Sequence, residues 1–472
     1  MTTETMKKSK INGKDLYNIG LDQDASRSVA IMTASKHFKH STREEILTQF
    51  KHVKENPESY LADERLCKLA ATFVEKTDER PFQVYQLREF PERVKVYGHH
   101  FIEEEARRQM EVAMKLPVSL QGALMPDAHS GYGLPIGGVL AADNAVIPFG
   151  VGVDIGCRMA LSIFDLPEKF IAHNAYEIKT ALREQTHFGM DGALEKRQDH
   201  EVLERPEFGA TTLLRKLHGK AIRQLGTSGS GNHFVEFGLI ELNEQNTLNM
   251  PAGTYTALLS HSGSRGLGAN IAQHYTRIAT DTCKLPREAQ HLAWLSLDSA
   301  EGQEYWLSMN LAGDYAKACH DRIHANLAKA LGIKPVAVVE NHHNFAWKEQ
   351  LNGREVIVHR KGATPAHAGE LGIIPGNMTD AGYLVCGKGM AESLNSASHG
   401  AGRAMSRSRA KNSITVSSFK KMVADAGVSL IGGTPEESPL AYKAIDEVML
   451  AQQQLVEVHG KFIPKIVRMN KE

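Results

Sequence analysis

The chain has 472 residues, with 55 basic and 55 acidic side chains and therefore no formal net charge. Hydrophobic residues make up 42% and charged residues 23%, which is typical of a soluble globular protein and excludes a histone-like polycation. No apolar run reaches the roughly 18 residues of a transmembrane helix, and no signal peptide opens the chain. The five scattered cysteines form no Cys-x-x-Cys pair, which predicts a reducing, cytoplasmic location and argues against a disulfide framework.

Residues 1–80 are predicted to form a small helical appendage. Ser41 and Glu44 have the spacing of a capping box, and Ile46, Phe50 and Val53 follow at helical intervals. A second amphipathic helix is predicted within residues 66–74, and the appendage is expected to end near residue 80.

Residues 81–472 are predicted to form one large catalytic domain of the α+β class. Strand-like runs (VKVYG, ALLSH, VAVVEN, EVIVHR, YLVCG) alternate with helical patterns over residues 102–116 and 304–331. The connections between them are long and rich in glycine and histidine. Loops of this length are usually functional or disordered, and the histidines favour an active site built from loops.

One set of polar residues has the composition of a metal site. Asp154 and Cys157 lie three residues apart around a glycine, and His233, His261 and His343 stand at the ends of strand-like runs or in glycine-flanked turns. Carboxylate, thiolate and imidazole together suit manganese, zinc or cobalt better than magnesium or calcium, and a bridging thiolate can hold two ions. A buried structural cysteine beside a turn aspartate is the alternative, and the co-occurrence of four such candidates favours the metal site.

A second stretch suggests phosphate chemistry. His399 is followed by Gly400 and Gly402, then by Arg403 and Arg407, which share one face if the segment is helical. A glycine-rich turn that opens a helix presents free N–H groups to phosphate, and a histidine beside it can attack phosphorus. A helix cap followed by solvated arginines explains these residue types equally well.

Two motif-like stretches are rejected as sites. Residues 382–388 imitate a phosphate-binding P-loop, but Gly389 stands where serine or threonine is required and the segment is predicted to be a strand. His320 and His324 have the spacing of a zinc protease motif, but an aspartate stands in place of its glutamate. The pattern of the surrounding helix is typical of a helix that packs in the core.

The motifs MPDAH, VGVDIGC, GNHFVE, HRKGAT, IIPG and SHGAGR occur here in the order of the RNA-splicing ligase RtcB family, which the chain resembles over roughly residues 90–470. That family joins RNA 3′-phosphate or 2′,3′-cyclic phosphate ends to 5′-hydroxyl ends, in RNA repair or tRNA splicing. The resemblance implies manganese(II), expected as two ions, and GTP as cofactors. It also implies RNA with such ends as the substrate, an activator protein as a further partner, and no membrane.

The resemblance assigns roles to individual residues. His399 matches the nucleophile that carries GMP, before an RNA(3′)pp(5′)G end forms and the 5′-hydroxyl displaces GMP. The manganese ligands are matched by Asp154, Cys157, His233, His261 and His343. The GTP contacts are matched by Asn232, His233, Phe234, Val235, Glu236, His343, Asn344, Pro375, Gly376, Asn377, Met378, Gly382, His399, Gly400, Ala401, Gly402 and Arg468. The RNA phosphates are expected at Arg360, Lys361, Arg403 and Arg407.

The chain departs from the family pattern at four positions. Asn377 and Gly382 replace serines, Arg468 replaces a lysine expected near guanine, and Arg158 replaces a glycine. These changes predict altered nucleotide geometry in an active ligase. Two other functions stay open from the sequence: a metal-dependent cyclic phosphoesterase that never ligates, and an inactive protein that binds nucleotides or RNA ends.

Overall fold

The computed structural model describes residues 11–74, 82–190, 192–194 and 196–471. The helices in these residues are α1 (Gly13–Asn18), α2 (Asp24–His37), α3 (Arg43–Glu55), α4 (Cys67–Ala70), α5 (Glu104–Met114), α6 (Pro148–Val151), α7 (Lys169–His173), α8 (Ala175–Gln185), α9 (Thr212–Gln224), α10 (Arg265–Thr282), α11 (Ala300–Leu331), α12 (Arg407–Ser413), α13 (Val416–Asp425) and α14 (Ile445–Leu450). The strands are β1 (Gln83–Val84), β2 (Val94–Val96), β3 (Ser119–His129), β4 (Ile136–Ala142), β5 (Ala145–Val146), β6 (Arg158–Phe164), β7 (Phe234–Leu242), β8 (Gly253–Ser262), β9 (Cys283–Lys284), β10 (Leu295–Ser296), β11 (Ala337–His342), β12 (Asn344–Leu351), β13 (Arg354–Lys361), β14 (Ala363–Pro365), β15 (Leu371–Ile374), β16 (Gly382–Gly387), β17 (Ser396–Ser398), β18 (Ser429–Ile431) and β19 (Val456–Met469). This mixture confirms the predicted α+β class.

The largest sheet has the strand order β11-β6-β8-β7-β19-β16-β15, with β18 added in parallel beside β19. Its edge strands approach each other, because the side-chain amide of Asn341 in β11 bonds both the N–H and the C=O of Ile373 in β15, at 2.9 and 3.4 Å. Apolar side chains from β6, β7, β8, β11, β15, β16 and β19 fill the space between the edges. The sheet is therefore an almost closed barrel with its own core.

The register of this sheet brings distant segments to one end of the barrel. Arg158, at the start of β6, pairs with both Ser262 at the end of β8 and His342 at the end of β11. Phe234, at the start of β7, pairs with His261 and with Met469 at the end of β19. The residues next to these strand ends are consequently neighbours in space although they are far apart in sequence.

A second sheet, with the order β12-β13-β4-β3-β2, positions the other side of the same region. Strand β3 loses its regular pairing with β4 between Leu124 and His129, and this irregular segment contains the Pro126–Asp127 pair. Register breaks of this kind re-aim side chains, and they are frequent next to active sites. The pair β14–β17 then leads the chain directly into His399.

The amino-terminal helices pack into the main helical core of the protein. Leu16, Val29, Ile31 and Phe50 belong to the same buried cluster as side chains of α10 and α11. A polar contact also joins the amino-terminal helices to the segment before α9, since the Arg27 side chain donates to the backbone oxygen of Ala210 at 3.2 Å. The same side chain donates to the Leu21 oxygen at 2.9 Å within the amino-terminal segment. The predicted end of the appendage near residue 80 lies outside the described residues.

Some element predictions need correction. Helix α3 begins one residue later than predicted, because Thr42 and Glu45 form the capping box. Helices α1 and α2 were not predicted at all, and α4 covers only part of residues 66–74. The segment that follows His399 is irregular until Ser406 caps α12, so Arg403 lies outside the helix that contains Arg407. Among the described residues, no helix is both long and apolar enough to cross a bilayer.

Candidate active site

A cavity of about 800 Å³ opens at the barrel end where these strands meet. Its walls come from the starts of β6 and β7, the ends of β8, β11 and β19, the β15–β16 loop, and the segment that runs from His399 into α12. A chamber of this volume falls in the range of small-molecule binding sites.

Five side chains, which we call the donor cluster, converge on one wall of the cavity: Asp154, Cys157, His233, His261 and His343. The Cys157 Sγ lies 3.4 Å from His233 Nε2 and 3.2 Å from His261 Nε2. The His233 Nε2 is also 2.9 Å from an Asp154 carboxylate oxygen, and the His261 Nε2 is 3.2 Å from His343 Nε2. The thiol thus stands between an Asp–His pair and a His–His pair.

Local backbone features hold these donors in place. A contact of 3.1 Å between His261 Nδ1 and the carbonyl oxygen of Asn232 orients the imidazole ring. The His261 Nε2 therefore faces the other donors. Gly263 lies so close to Asp154 that a Cβ atom there would stand 2.0 Å from the carboxylate. Only glycine allows this approach, so the turn after β8 is shaped to admit the Asp154 side chain.

Burial controls the charges in the donor cluster. It lowers the pKa of His261 to about 3 and places the pKa of His343 well below its usual value, so both imidazoles are neutral near pH 7. Burial, and then the neighbouring Asp154 carboxylate, raise the pKa of the Cys157 thiol well above its usual value. The Asp154 side chain is half-buried, and desolvation acts to raise its pKa, but hydrogen bonding and charge from His233 bring that pKa below the ordinary value.

This arrangement fits a divalent metal ion. The donor atoms of Cys157, His233 and His261 all lie within 4.8 Å of one another, and all three residues are buried. Neutral imidazoles crowded around a thiol satisfy one another poorly, whereas a cation would bind their lone pairs and displace the thiol proton. Thiolate, imidazole and carboxylate donors are the set expected for zinc, manganese or cobalt.

His399 lies beside the donor cluster, with its ring centroid 5.0 Å from that of His343. Its Nδ1 is 2.7 Å from a carboxylate oxygen of Asp127, and the same oxygen accepts the backbone N–H of His399 at 3.1 Å. Asp127 is fully buried, but the hydrogen bond and charge of His399 outweigh this burial and lower its pKa. The carboxylate therefore orients the imidazole so that its other nitrogen, Nε2, is free of this bond.

The sequence profile described as "tRNA-splicing ligase RtcB" matches residues 109–213 and 206–470 of the chain. The chain belongs to the RtcB family. It is 34% identical to the RNA-splicing ligase RtcB of Escherichia coli K12 over 392 residues, which cover 76% of this chain and 92% of that protein. The tRNA-splicing ligase RtcB of Nanoarchaeum equitans is 31% identical over 70% of this chain, and the RNA-splicing ligase RtcB of Mycobacterium bovis is 31% identical over 70%.

Most residues that the RtcB resemblance singles out line this cavity. They include all five of the donor cluster and His399. The others are Asn232, Phe234, Glu236, Asn344, Pro375, Gly376, Asn377, Met378, Gly382, Gly400, Ala401, Gly402, Lys361, Arg403 and Arg407.

Three of the predicted contact residues, Val235, Arg360 and Arg468, do not line the cavity. The Val235 side chain points to the other face of β7, into a core with Phe237. Arg468 packs over Phe188, with 5.3 Å between its guanidinium and the ring centroid, while its strand neighbours Val467 and Met469 line the cavity. A strand alternates its faces, so a residue between two lining residues points away.

Arg360 is the third residue outside the cavity lining. It is 0% exposed, and its guanidinium bonds a Glu349 carboxylate oxygen at 2.6 Å and the Ser396 hydroxyl at 2.7 Å. Its other face covers the ring of Trp347 at 4.6 Å. A buried arginine with all these partners cannot take up an RNA phosphate, so Arg360 is a structural residue.

Arg403 and Arg407 meet at a buried carboxylate. Arg403 donates to Glu437 at 3.1 Å, Arg407 donates to the other oxygen of the same carboxylate, and the Tyr442 hydroxyl also donates to it. Glu437 is only 2% exposed, while Arg407 is 47% exposed. We call Arg403, Arg407 and Glu437 the arginine group.

Two departures from the family pattern have visible consequences. The Asn377 side chain closes its own turn, since its oxygen accepts the N–H groups of Thr379 and Asp380 at 2.9 and 3.1 Å. Its amide also donates to the Asp380 carboxylate at 2.7 Å, so it is committed within the loop. Arg158 points away from the cavity and donates to Nδ1 of His342 at 3.0 Å.

Sequence reasoning missed Glu437 and Tyr132 as cavity residues and Asp127 as the buried partner of His399. Asp127 and Tyr132 were in view, because both belong to the stretch MPDAHSGYG that contains a family motif. Glu437 stands in a Thr-Pro-Glu-Glu segment whose only signal is its acidity. The rejected stretches were rejected correctly: residues 382–387 form strand β16, and His320 and His324 are buried on α11 against the Ser260 hydroxyl, each at 2.7 Å.

Proposed function

We propose that the protein is a GTP- and manganese-dependent RNA ligase that joins 3′-phosphate or 2′,3′-cyclic phosphate ends to 5′-hydroxyl ends. One observation carries the proposal: His399, oriented by the buried Asp127, stands beside the donor cluster in a single cavity. A nucleophilic histidine next to a cation-binding cluster is what nucleotidyl transfer to histidine requires. The names of the relatives, RNA-splicing and tRNA-splicing ligases, support the same reaction for this chain.

The proposed role of His399 follows from its contacts. Since Nδ1 is bonded to Asp127, Nε2 is the nitrogen that attacks the α-phosphorus of GTP, and pyrophosphate leaves. The Asp127 carboxylate stabilises the positive charge that the ring gains as the phosphoramidate forms, as a buried carboxylate does for other catalytic histidines. The RNA 3′-phosphate then takes GMP from His399, and attack by the 5′-hydroxyl on the resulting anhydride releases GMP.

The donor cluster would hold two manganese ions through a shared thiolate. Asp154, Cys157 and His233 would form one ligand set, and Cys157, His261 and His343 the other. The contacts of Cys157 with both His233 and His261 support this division. When bound, such ions supply Lewis-acid stabilisation of phosphoryl oxygens and activate water to open a cyclic phosphate.

Lys361 and the arginine group would hold RNA phosphates at the cavity wall. All three cations line the cavity, and the exposed part of Arg407 can leave Glu437 without unfolding its surroundings. The zero net charge of the protein is no obstacle, because phosphate binding needs only a local cluster of cations. A cytoplasmic location and an activator protein belong to the same proposal, and the free state of all five cysteines supports a reducing compartment.

A second candidate is a cyclic phosphoesterase that never ligates. It is favoured by the fact that the donor cluster is complete without His399, because the contacts among its five side chains do not involve that residue. A substitution of His399 distinguishes the two functions, because only the ligase needs this side chain.

The deciding experiment is incubation of the purified protein with α-³²P-GTP and manganese, followed by denaturing electrophoresis. We expect a labelled band that survives alkali and is lost in acid, as a histidine phosphoramidate behaves. His399→Ala should abolish the band, while His173→Ala, a change at an exposed histidine on α7, should keep it.

The same preparations are then given RNA with a 2′,3′-cyclic end. Sealing by the wild type and not by His399→Ala supports the ligase. Opening of the cyclic phosphate without labelling or sealing, by both proteins, would establish the phosphoesterase instead. No reaction on any end, with metal bound, would leave only a binding function.

A further inference from the structure

Tyr132 is exposed at the edge of the active-site cavity. Its side chain is 70% exposed, yet it is one of the residues that line the cavity. Single exposed aromatic residues are common on protein surfaces and need no explanation by themselves. Tyr132 differs from them in its neighbours and in the way its backbone is held.

Two more aromatic rings support Tyr132. Its ring centroid is 6.0 Å from that of His291 and 6.4 Å from that of Phe149, both in edge-to-face contacts. His291 and Phe149 in turn stack on each other at 5.3 Å. These contacts hold the ring in place, while its 70% exposure leaves surface of the ring available to a ligand.

The loop that presents Tyr132 is tied down on both sides. Gln109 bonds both backbone groups of Gly131, donating to its C=O at 2.8 Å and accepting its N–H at 3.0 Å. Gly133 has φ +69° and passes so near His291 that a Cβ would lie 3.0 Å from the carbonyl oxygen. The ring is therefore presented by an ordered backbone, which reduces the entropy lost when a ligand binds.

The loop is also connected to the reacting region. The Lys361 ammonium donates a hydrogen bond to the Tyr132 carbonyl oxygen at 2.6 Å. The same ammonium lies 4.8 Å from the Phe149 ring centroid. The next residue, Gly362, donates to Asn344 at 2.8 Å and lies against His399. An ammonium has three donors, so Lys361 keeps N–H groups for a phosphate beside the tyrosine.

We propose that Tyr132, supported by Phe149 and His291, is a stacking platform for an unpaired base at an RNA end, with Lys361 binding the adjoining phosphate. Base stacking on aromatic side chains beside a cation is the general way in which proteins bind single-stranded RNA without reading its sequence. This inference rests on the proposed function, and it adds where the RNA end lies and how the site tolerates different sequences.

The test is ligation kinetics with a set of variants and a set of RNA ends. Tyr132→Ala should raise the RNA concentration for half-maximal ligation by about 5- to 100-fold, the range expected for the loss of one stacked base. Tyr132→Phe should stay near the wild type, because a phenyl ring also stacks. Tyr176→Ala, at a tyrosine that is 77% exposed on α8 outside the cavity, is the matched control.

Abasic substrates make the test specific for stacking. Two substrates are compared with the intact RNA, one without the base of its 3′-terminal nucleotide and one without the base of its 5′-terminal nucleotide. The wild type should bind one of these two substrates more weakly, and that substrate identifies the end that stacks on Tyr132. On that substrate Tyr132→Ala should have no further effect. Equal losses on base-bearing and abasic ends would overturn the proposal.

The remaining outcomes are also decisive. If Tyr132→Ala raises the GTP concentration needed for labelling of the protein without RNA, the ring contacts guanine and the RNA assignment is wrong. If the wild type seals base-bearing and abasic ends equally well, the stacking proposal is wrong, but the proposed ligase function is unaffected. Failure of the wild type to seal any end would instead overturn the proposed function.

Discussion

The donor cluster and the arginine group line the same cavity but are satisfied in opposite ways. In the donor cluster, a thiol and three imidazoles crowd together with no internal cation, and burial keeps His261 and His343 neutral. In the arginine group, two guanidinium ions already share the buried carboxylate of Glu437. The donor cluster therefore gains from a cation that comes from outside the protein, whereas the charges of the arginine group are already paired within it.

This difference separates two kinds of binding site. Acceptor nitrogens that face one another and a thiol gain stability when a cation enters, so the donor cluster should bind a metal ion tightly and lose function when any one of its members is removed. A paired arginine must give up part of its internal partner to bind a phosphate. Its contribution should be smaller and more sensitive to salt.

The largest effect is expected from removal of the central thiol. Cys157→Ala should abolish stoichiometric metal binding and ligation, because Cys157 stands between both histidine pairs. Elemental analysis of the purified protein measures the metal. Cys319→Ala, at a buried cysteine on α11 outside the cavity, should keep it. Full metal content in Cys157→Ala would show that the thiol is not a required metal ligand.

The next effect concerns the Asp127–His399 pair, which lies between the two regions. Asp127→Asn keeps the volume of the side chain but removes the charge that orients the imidazole, so guanylylation should slow by about 10²- to 10⁴-fold. The rate of labelling by α-³²P-GTP measures it. Metal content should be unchanged, since Asp127 is not part of the donor cluster. An unaltered rate would mean that Asp127 only holds the backbone of His399.

A pH dependence is expected at Lys361. Burial lowers the pKa of Lys361 to about 7, so the ammonium is charged below pH 7 and becomes neutral above it. The RNA concentration for half-maximal ligation should therefore rise between pH 6 and pH 8, by up to about 10-fold. Lys361→Arg stays charged throughout this window and should remove the dependence. The same slope in both proteins would assign the titration to another group.

The smallest effect is expected in the arginine group. Arg407→Ala should weaken RNA binding by a similar factor for every sequence and reduce the slope of log affinity against log salt by about 1. Glu437→Gln should do the reverse and strengthen RNA binding, because it releases both guanidinium groups from their internal charge. Binding titrations at several salt concentrations measure both. Weaker binding in Glu437→Gln would show that the carboxylate positions the arginines for RNA.

Residues that repeat a local pattern were predicted well from the sequence. Helices α3, α5 and α11 follow their apolar periodicity, and the predicted runs ALLSH, VAVVEN and YLVCG lie in the barrel strands β8, β11 and β16. Helix α1 was not predicted because it has only six residues, although Asn12 and Asp15 form a capping box at its start. Helix α2 has no side-chain cap bond from Gln23, and its burial depends on packing against α11. Their stability comes from tertiary packing more than from propensity.

For the site, the sequence by itself determined which residue types are available and that they fall in loops next to strands. Only the tertiary structure decided which of them share a partner. Asp127 meets His399 across 272 residues, Glu437 neutralises two arginines, and Arg360 turns inward to Glu349 although its neighbour Lys361 faces the cavity. The physical reason is that burial and pairing depend on strand register and on contacts between distant segments, and no local pattern encodes these.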